Sequence, residues 1–347
     1  MTNDIIIDEL NKMIITVNKE IKETKNKTLG FKIRSYRKTI GLIKTLNYTI
    51  VSSSQLKNIK GIGSGTLKKI DEIIETGKLE KNKNIDNKDL NNAKNINYLQ
   101  KITGIGPIKA QKLFSENITL DRLIKIDFDN LNEDDETILS KLTNHQKLGV
   151  KYYHHLEKRI PYNEISKMEL YINKIIKKID SKLNIVICGS YRRKHKDSGD
   201  IDVLIYHTNL KKRGDIEKSL YLSSILQIFI KDNFIVDSLT STNKPSKYMG
   251  FCKLKFHKII RRIDIRMVPY DSLASSLLYF TGSGEFNKNM RTYGLSKGFT
   301  LNEYGIYRII NKVKTFNIKA KEEKDIFRIL NIEYVEPENR VSSYKFI

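Results

Sequence analysis

Gly189-Ser190-Tyr191-Arg192-Arg193, followed after a short spacer by Gly199-Asp200-Ile201-Asp202-Val203-Leu204, is the stretch on which the fold of this chain turns. Side chains alternate along a strand, so a strand over residues 200–206 sends Asp200 and Asp202 to one side. Ile201 and Val203 then point the other way, into a core. Two carboxylates on one face repel each other unless a cation lies between them. Hard oxygen donors of this kind suit Mg²⁺. A third carboxylate stands in Arg262-Ile263-Asp264-Ile265-Arg266, where alternation groups Arg262, Asp264 and Arg266. If that strand neighbours the Asp200 strand, three carboxylates converge. They would then serve two metal ions roughly 3.5–4 Å apart, which clamp the attacking and leaving oxygens of an in-line displacement.

Each piece alone has an ordinary explanation. A lone Asp-x-Asp is usually a solvated strand end, and an aspartate between arginines is usually a surface ion-pair ladder. The combination of Gly-Ser, a spacer, Gly-Asp-x-Asp and a distant strand aspartate is the specific pattern of nucleotidyl transfer. Gly189 and Ser190 open a turn whose backbone N–H groups and hydroxyl can reach phosphate oxygens. Arg193 adds charge-assisted contacts.

Outward from this stretch, residues 185–188, 235–238, 251–256 and 261–268 have strand character, and residues 152–183 have helical character. A mixed sheet flanked by helices is expected at the centre, with helix and short strands mixed from Asp271 onward. Upstream, the chain reads as helices. Ile5, Leu10, Ile14, Val17 and Ile21 recur at helical spacing, and residues 36–46 continue the pattern on a basic face. Residues 81–95, rich in Lys, Asn and Asp, read either as a polar linker or as an exposed helix.

A second motif occurs twice. Ile59-Lys60-Gly61-Ile62-Gly63 precedes a helical run from Thr66, and Ile102-Thr103-Gly104-Ile105-Gly106 precedes another from Ile108. Glycine lets a phosphate approach the main chain, and the following helix N-terminus offers free N–H groups. Such turns grip a DNA backbone without reading bases. The repeat resembles the helix-hairpin-helix motif. That resemblance implies a monovalent cation, Na⁺ or K⁺, on turn carbonyls, here those of Lys57, Ile59 and Ile62 and of Gln100, Ile102 and Ile105.

Composition agrees with a polyanionic partner. Lys plus Arg is 63 and Asp plus Glu is 40, a net charge of +23, and each neutralised phosphate releases counterions. A Lys-, Asn- and Ile-rich coding bias, as in an AT-rich virus or protist, produces some of the same excess, so the placement of charge matters more than its sum. The length, 347 residues, suits two or three compact units. No apolar run approaches the length of a bilayer span, so no membrane partner is expected. MTNDIIIDEL lacks the basic start and apolar stretch of a secretory signal. Cys188 and Cys252 form neither a zinc site nor a disulfide framework, which points to a reducing intracellular compartment, nuclear or at a cytoplasmic viral replication site.

Across nearly its whole length the chain resembles the family X DNA polymerases, of the polymerase beta kind. The sharpest likeness lies in Leu278-Tyr279-Phe280-Thr281-Gly282-Ser283, Phe286-Asn287-Lys288-Asn289-Met290-Arg291 and Lys297-Gly298-Phe299-Thr300-Leu301-Asn302-Glu303-Tyr304. The fold class it implies is α+β multidomain. Residues 1–84 would be a helical deoxyribose-phosphate lyase domain with the first helix-hairpin-helix, and residues 85–150 a DNA-binding helical subdomain with the second. Residues 151–270 would be a nucleotidyltransferase-type palm with a mixed sheet, and residues 271–347 an α+β nucleotide-selection subdomain.

The resemblance also implies roles. Asp200, Asp202 and Asp264 would be the catalytic metal ligands for two Mg²⁺, with Mn²⁺ able to substitute. Ser190, Arg193 and Gly199 would hold the incoming dNTP, with Lys147 nearby where the family often has arginine. Tyr279, Phe280 and Gly282 would bound the sugar and exclude a 2′-hydroxyl. Asn287 would touch the nucleotide in the minor groove, and Arg291 and Arg262 the DNA. Lys69 falls at the Schiff-base position of the lyase. It must be neutral to attack an aldehyde, so neighbouring cations and partial burial must lower its pKa. Lys32, Lys38, Lys68 and Arg37 are suited to that and to 5′-phosphate binding, with Tyr36 beside the site. Lys32, Tyr36, Gly61, Gly63, Lys69, Gly104 and Gly106 would contact DNA.

The sequence departs from the family in three places. Gly65 stands where a phosphate-binding lysine is usual, Gly284 where an acidic residue is usual, and Lys147 lacks the bidentate fork of arginine. The expected function is template-directed gap filling by a monomer on gapped or primer-template DNA, with closure of the segment after Asp271 over a correct pair. There is no sign of an added protein-recognition or phosphoesterase module. A template-independent nucleotidyltransferase, an inactive DNA-binding scaffold and an RNA-directed transferase remain as alternatives. Tyr279-Phe280 and the presence of all three aspartates weigh against them.

Overall fold

Ile201, Val203, Ile205, Ile263 and Ile265 are fully buried, and apart from the buried Leu204 they alternate with more open neighbours along the strands Ile201–His207 and Arg261–Met267. This period of two gives the sheet one dry face. On that face they meet Ile165, Met168, Ile172 and Ile176 of the helix Tyr162–Ile179, and Leu222, Ile225 and Phe229 of the helix Tyr221–Lys231. Burial of each such side chain contributes about 1.5–3 kcal/mol. The computed structural model describes residues 3–44, 46, 48–57, 59 and 62–346; Gly61, expected among the DNA-gripping glycines, lies outside the described residues.

The central sheet has five strands in the order Leu183–Ile187, Ile201–His207, Arg261–Met267, Lys247–Cys252, Ile235–Ser238. Ile201–His207 and Arg261–Met267 run parallel, and every other neighbouring pair is antiparallel, so the sheet is mixed as expected. The opposite face holds Asp202 and Asp264. Further along it Leu204 packs with Cys188, Val268, Leu273, Leu277 and Phe280. Both cysteines are buried and unpaired.

Several boundaries differ from the sequence expectation. The strand begins at Ile201, and Asp200 belongs to the bend before it. The strand expected over residues 251–256 ends at Cys252, because the chain turns there to start the next strand. Residues 152–183 are not one helical run. Tyr153–Leu156 and Tyr162–Ile179 are separated by the two-residue strand Ile160–Pro161, since a proline pushes its predecessor toward extended backbone.

After the sheet come the helices Leu273–Thr281 and Gly284–Ser296. A three-stranded antiparallel sheet follows, made of Phe299–Asn302, Gly305–Ile310 and Val313–Ile318, and then the helix Glu323–Ile329. Phe286, Met290, Ile306, Ile326, Phe327 and Leu330 are the centre of this region's core.

The N-terminal helices include Asn3–Thr24, Gly30–Ile43, Ser64–Thr76, Asn87–Leu99 and Pro107–Ser115. The first buries Ile6, Leu10, Met13 and Val17. Of the expected stripe, Leu10 and Val17 are in the core, Ile14 and Ile21 pack at its margin, and Ile5 is exposed. Most of the polar stretch after residue 81 is helix. Its start is set by Asp86, whose carboxylate accepts the Asp89 N–H at 2.6 Å. The chain divides into two compact units, Met1–Lys125 and Ile126–Ile347. No helix among the described residues is long and apolar enough to cross a membrane.

Candidate active site

Strand register sets the first relationship. Asp202 is paired directly with Asp264 in the adjacent parallel strand, and neighbouring strands lie about 4.8 Å apart. Asp200 stands two residues before Asp202, at the mouth of the same strand. The Asp202 carboxyl is pushed up to about 7, first by burial and then by the charges of Asp200 and Asp264, against the pull of Arg193 and Arg262. Asp200 is also raised, by burial and then by Asp264, with Arg262 and Arg159 opposing. Both carboxyls are thus raised by burial first and by carboxylate neighbours second.

Asp264 Oδ1 accepts a hydrogen bond from Arg262 Nε at 2.8 Å. Among the described residues, no three acidic, imidazole or thiol side chains are drawn together into a metal-binding group. The donor chemistry nevertheless fits a hard divalent cation: Asp200 and Asp202 are raised by burial and by neighbouring carboxylate charge, and Asp264 stands across from Asp202 in the next strand.

The turn before the strand is shaped around Asp202. Gly189 has φ +57°, and a Cβ there would come within 2.6 Å of Asp202 Oδ2. Glycine is required at this position both for its backbone conformation and for the close approach. Ser190 Oγ donates to Ser198 Oγ at 2.7 Å. Arg193 Nη1 donates to the Thr281 carbonyl, and burial holds its pKa below the usual arginine range. Arg192 donates to Thr281 Oγ1 and to the carboxylate of Glu323, which also accepts from Arg340 at 2.6 Å. The Gly-Ser turn is thus tied to the helix that carries Tyr279 and Phe280.

These elements enclose a cavity of about 500 Å³. Of the residues expected to hold a nucleotide, Ser190, Arg193, Gly199, Asp200, Tyr279, Phe280, Gly282 and Asn287 line it, together with Asp202. Arg291, expected on the DNA, lines it too. Lys147 does not; it sits on the helix Asn144–Lys151. The Tyr279 and Phe280 rings pack edge-on with centroids 5.1 Å apart. Asn287 Nδ2 donates to the Tyr279 carbonyl at 2.6 Å. The Gly282–Ser283 peptide bond is cis.

Sequence reasoning missed Arg159, His195, Thr281 and His145. Arg159 lines the cavity, pairs with Asp197 at 2.8 Å and acts on Asp200. His195 also lines the cavity. His145 is held below the usual histidine range by burial and then by Arg262, and it feels Asp264 as well. No local pattern marks either Arg159 or His145, since each reaches the site by chain folding alone.

In the N-terminal unit, Lys69 Nζ donates to the Gly65 carbonyl at 3.2 Å. Its pKa is lowered by burial, then by Lys81 and Lys32, with Glu72 acting the other way. Tyr36 is buried in the unit's core, and burial raises its pKa. Among the described residues, two hydrogen bonds of each glycine turn correspond. Ile59 N–H bonds Leu56 O and Ile62 N–H bonds Ile59 O; Ile102 N–H bonds Leu99 O and Ile105 N–H bonds Ile102 O. Gly63 and Gly106 then cap the helices Ser64–Thr76 and Pro107–Ser115, and Gly104 has φ +87°. Of the carbonyls expected around a monovalent cation, those of Ile59 and Ile102 occupy equivalent places and each accept one turn N–H.

Four family models match the chain in sequence order. They are a helix-hairpin-helix domain at residues 1–79, the fingers domain of DNA polymerase lambda at 97–157, the DNA polymerase beta palm at 159–270 and the DNA polymerase beta thumb at 276–341. The chain belongs to family X of the DNA polymerases. Among family X relatives, DNA polymerase lambda of Arabidopsis thaliana is 29% identical over 321 residues, which cover 88% of this chain and 57% of the relative. DNA polymerase lambda of Rattus norvegicus is 30% identical over 313 residues, with 88% and 52% covered. DNA nucleotidylexotransferase of Xenopus laevis is 26% identical over 369 residues, with 98% and 68% covered. The chain thus spans about half the length of the polymerase lambda relatives it matches. The family X layout of hairpin, fingers, palm and thumb agrees with the mixed helix-and-sheet fold described above, and divalent metal use is general in the family.

Proposed function

We propose that this chain is a template-directed DNA polymerase that fills short gaps during repair, adding dNTPs to a primer 3′-hydroxyl, and that its N-terminal unit removes a 5′-deoxyribose phosphate. The observation that carries the first part is that Asp200 and Asp202 line a cavity together with Ser190, Arg193 and Asn287, while Asp264 pairs with Asp202 from the adjacent strand. In this reading residues 1–84, 85–150, 151–270 and 271–347 divide lyase, DNA grip, catalysis and nucleotide selection.

Asp200, Asp202 and Asp264 would hold two Mg²⁺ ions, which supply Lewis-acid polarisation of the phosphoryl group and charge neutralisation. The chain's own residues do the positioning. Ser190 and Arg193 meet triphosphate oxygens with donors already oriented by Ser198 and Thr281. Tyr279 and Phe280 bound the sugar, and Asn287, fixed by the Tyr279 carbonyl, faces the base edge. Rate enhancement then comes from orientation and from charge fixed in advance.

For the lyase, the lowered pKa of Lys69 supports its role as nucleophile. Neutral amine attacks the sugar aldehyde, loses water to give a Schiff base, and β-elimination releases the 5′-phosphate end.

The test is a one-nucleotide gap carrying a 5′-deoxyribose phosphate, given to wild type, Asp264→Ala and Lys69→Ala. Asp264→Ala loses synthesis alone, and Lys69→Ala loses sugar-phosphate removal alone. Full-yield borohydride trapping by Lys69→Ala removes the lysine assignment, and undiminished synthesis by Asp264→Ala removes the metal-site assignment. Extension of a single strand without template would instead favour the activity named in the Xenopus relative.

A further inference from the structure

Between the strands Lys247–Cys252 and Arg261–Met267 the chain makes a turn through Leu254, Lys255, Phe256 and His257. The turn is anchored. His257 N–H bonds Leu254 O at 3.0 Å, Lys253 N–H bonds Phe234 O at 2.8 Å, and Leu254 packs against the palm core. On the far side Ile260 N–H bonds His155 Nδ1 at 3.2 Å.

Phe256 occupies the third position of this turn with φ +68°. Such a turn position favours glycine or asparagine, and a bulky side chain there is a real outlier. Burial does not offset the strain, because Phe256 is 91% exposed. A strained aromatic held out into solvent by an anchored turn does nothing for the fold, and strain of this kind is characteristic of ligand-contact positions.

Its surroundings specify the ligand. Lys255 Nζ lies 5.3 Å from the ring centroid, and Lys253 and Lys258 flank the turn. An exposed ring with one lysine ammonium beside it, on a turn flanked in sequence by two more lysines, suits a nucleic-acid base with its phosphates. It suits a protein partner less well, because lysine is depleted from interface cores. The turn also lies at the right end of the sheet. It leads directly into the strand whose fourth of seven residues is Asp264, and the parallel neighbour begins at that same end, just after Asp200.

We propose that Phe256 is a stacking platform for an unpaired base of the DNA strand brought to the carboxylate site, with Lys255 and Lys258 on the adjoining phosphates. This rests on the polymerase reading above. A paired base has both faces covered by its neighbours, so the ring selects frayed or mismatched ends over fully paired ones.

The experiment compares two primer–template duplexes, one fully paired and one with two unpaired 3′ nucleotides, the last being 2-aminopurine. Binding is read by anisotropy and stacking by aminopurine quenching, with no nucleotide present. Phe256→Ala weakens binding of the unpaired end by about ten-fold and abolishes quenching, since an aromatic platform accounts for a stacking loss of that order. Binding of the paired duplex stays at the wild-type value. Phe256→Trp retains both signals. Phe256→Gly, which relieves the backbone, loses quenching as alanine does with no loss of Tm. Equal binding of the unpaired end by wild type and Phe256→Ala overturns the proposal, as does an equal loss on both duplexes. A change in sedimentation in Phe256→Ala without any change in quenching overturns it in favour of a protein contact. Because no step requires incorporation, these outcomes stand apart from success or failure of the polymerase assay.

Discussion

Asp202 lies directly across from Asp264 in the neighbouring parallel strand, and the charge of Asp264 helps, after burial and Asp200, to push the Asp202 carboxyl up to about 7. A carboxyl raised in the folded state from its ordinary 3.8 binds its proton more tightly when folded than when unfolded. The stability it contributes is therefore fully present below that ordinary value and is lost as pH rises through about 7. In metal-free protein, Tm of wild type should fall across this window relative to Asp202→Asn, and Mg²⁺ should restore it at neutral pH. Parallel curves for the two proteins in thermal scans at several pH values would sink this account.

Gly189 should not tolerate a side chain. Alanine there meets Asp202 Oδ2 at 2.6 Å and must adopt φ +57°. The backbone penalty is about 1–2 kcal/mol. Displacement of the carboxylate should lower incorporation by about 10²-fold, as misplacement near 1 Å does elsewhere. Steady-state kinetics beside a urea melt separate the two effects, and an active Gly189→Ala enzyme would show that Asp202 has room to move.

Glu323 joins two arginines. Its carboxylate accepts from Arg340, which is fully buried, and from Arg192, which also holds Thr281. Removing it by Glu323→Ala leaves a buried guanidinium unpaired, at a cost of about 3–5 kcal/mol. Glu323→Ala combined with Arg340→Met should recover most of that loss in equilibrium unfolding. Because Arg193 rests on the Thr281 carbonyl, the single variant should also raise KM for dNTP. An unchanged KM would mean that the Gly-Ser turn is independent of this network.

After burial, the charge of Lys81 does most to lower the pKa of Lys69. Lys81→Gln should raise the Lys69 pKa, reduce the neutral amine at pH 7, and move the pH profile of borohydride trapping upward. Trapping at high pH should match wild type, as should Tm, since Lys81 is exposed. A profile that falls without shifting would point instead to lost phosphate binding.

Which residues could be read directly depended on how far apart the interacting parts lie in the chain. Asp200 and Asp202 could be grouped because they stand two residues apart, and Asp264 could be placed on the face of its own strand because strand alternation is a local rule. The two glycine turns were legible because turn and helix start lie within a few residues of each other. By contrast, the helix Asn3–Thr24 buries Ile6 and Met13 rather than Ile5 and Ile14. All four are apolar, and only the neighbouring helices decide which of them face inward.

The amino-acid order by itself determined the carboxylate spacing, the alternation that makes a two-faced sheet, the repeated turns and the excess of positive charge. Tertiary structure alone decided that Asp202 pairs with Asp264, that Arg159 and His145 reach the site, that Glu323 bridges Arg192 and Arg340, and that Phe256 stands in solvent. The division has a physical cause. Period and turn chemistry act between residues a few bonds apart, whereas strand register and side-chain burial depend on segments distant in the chain meeting in one core.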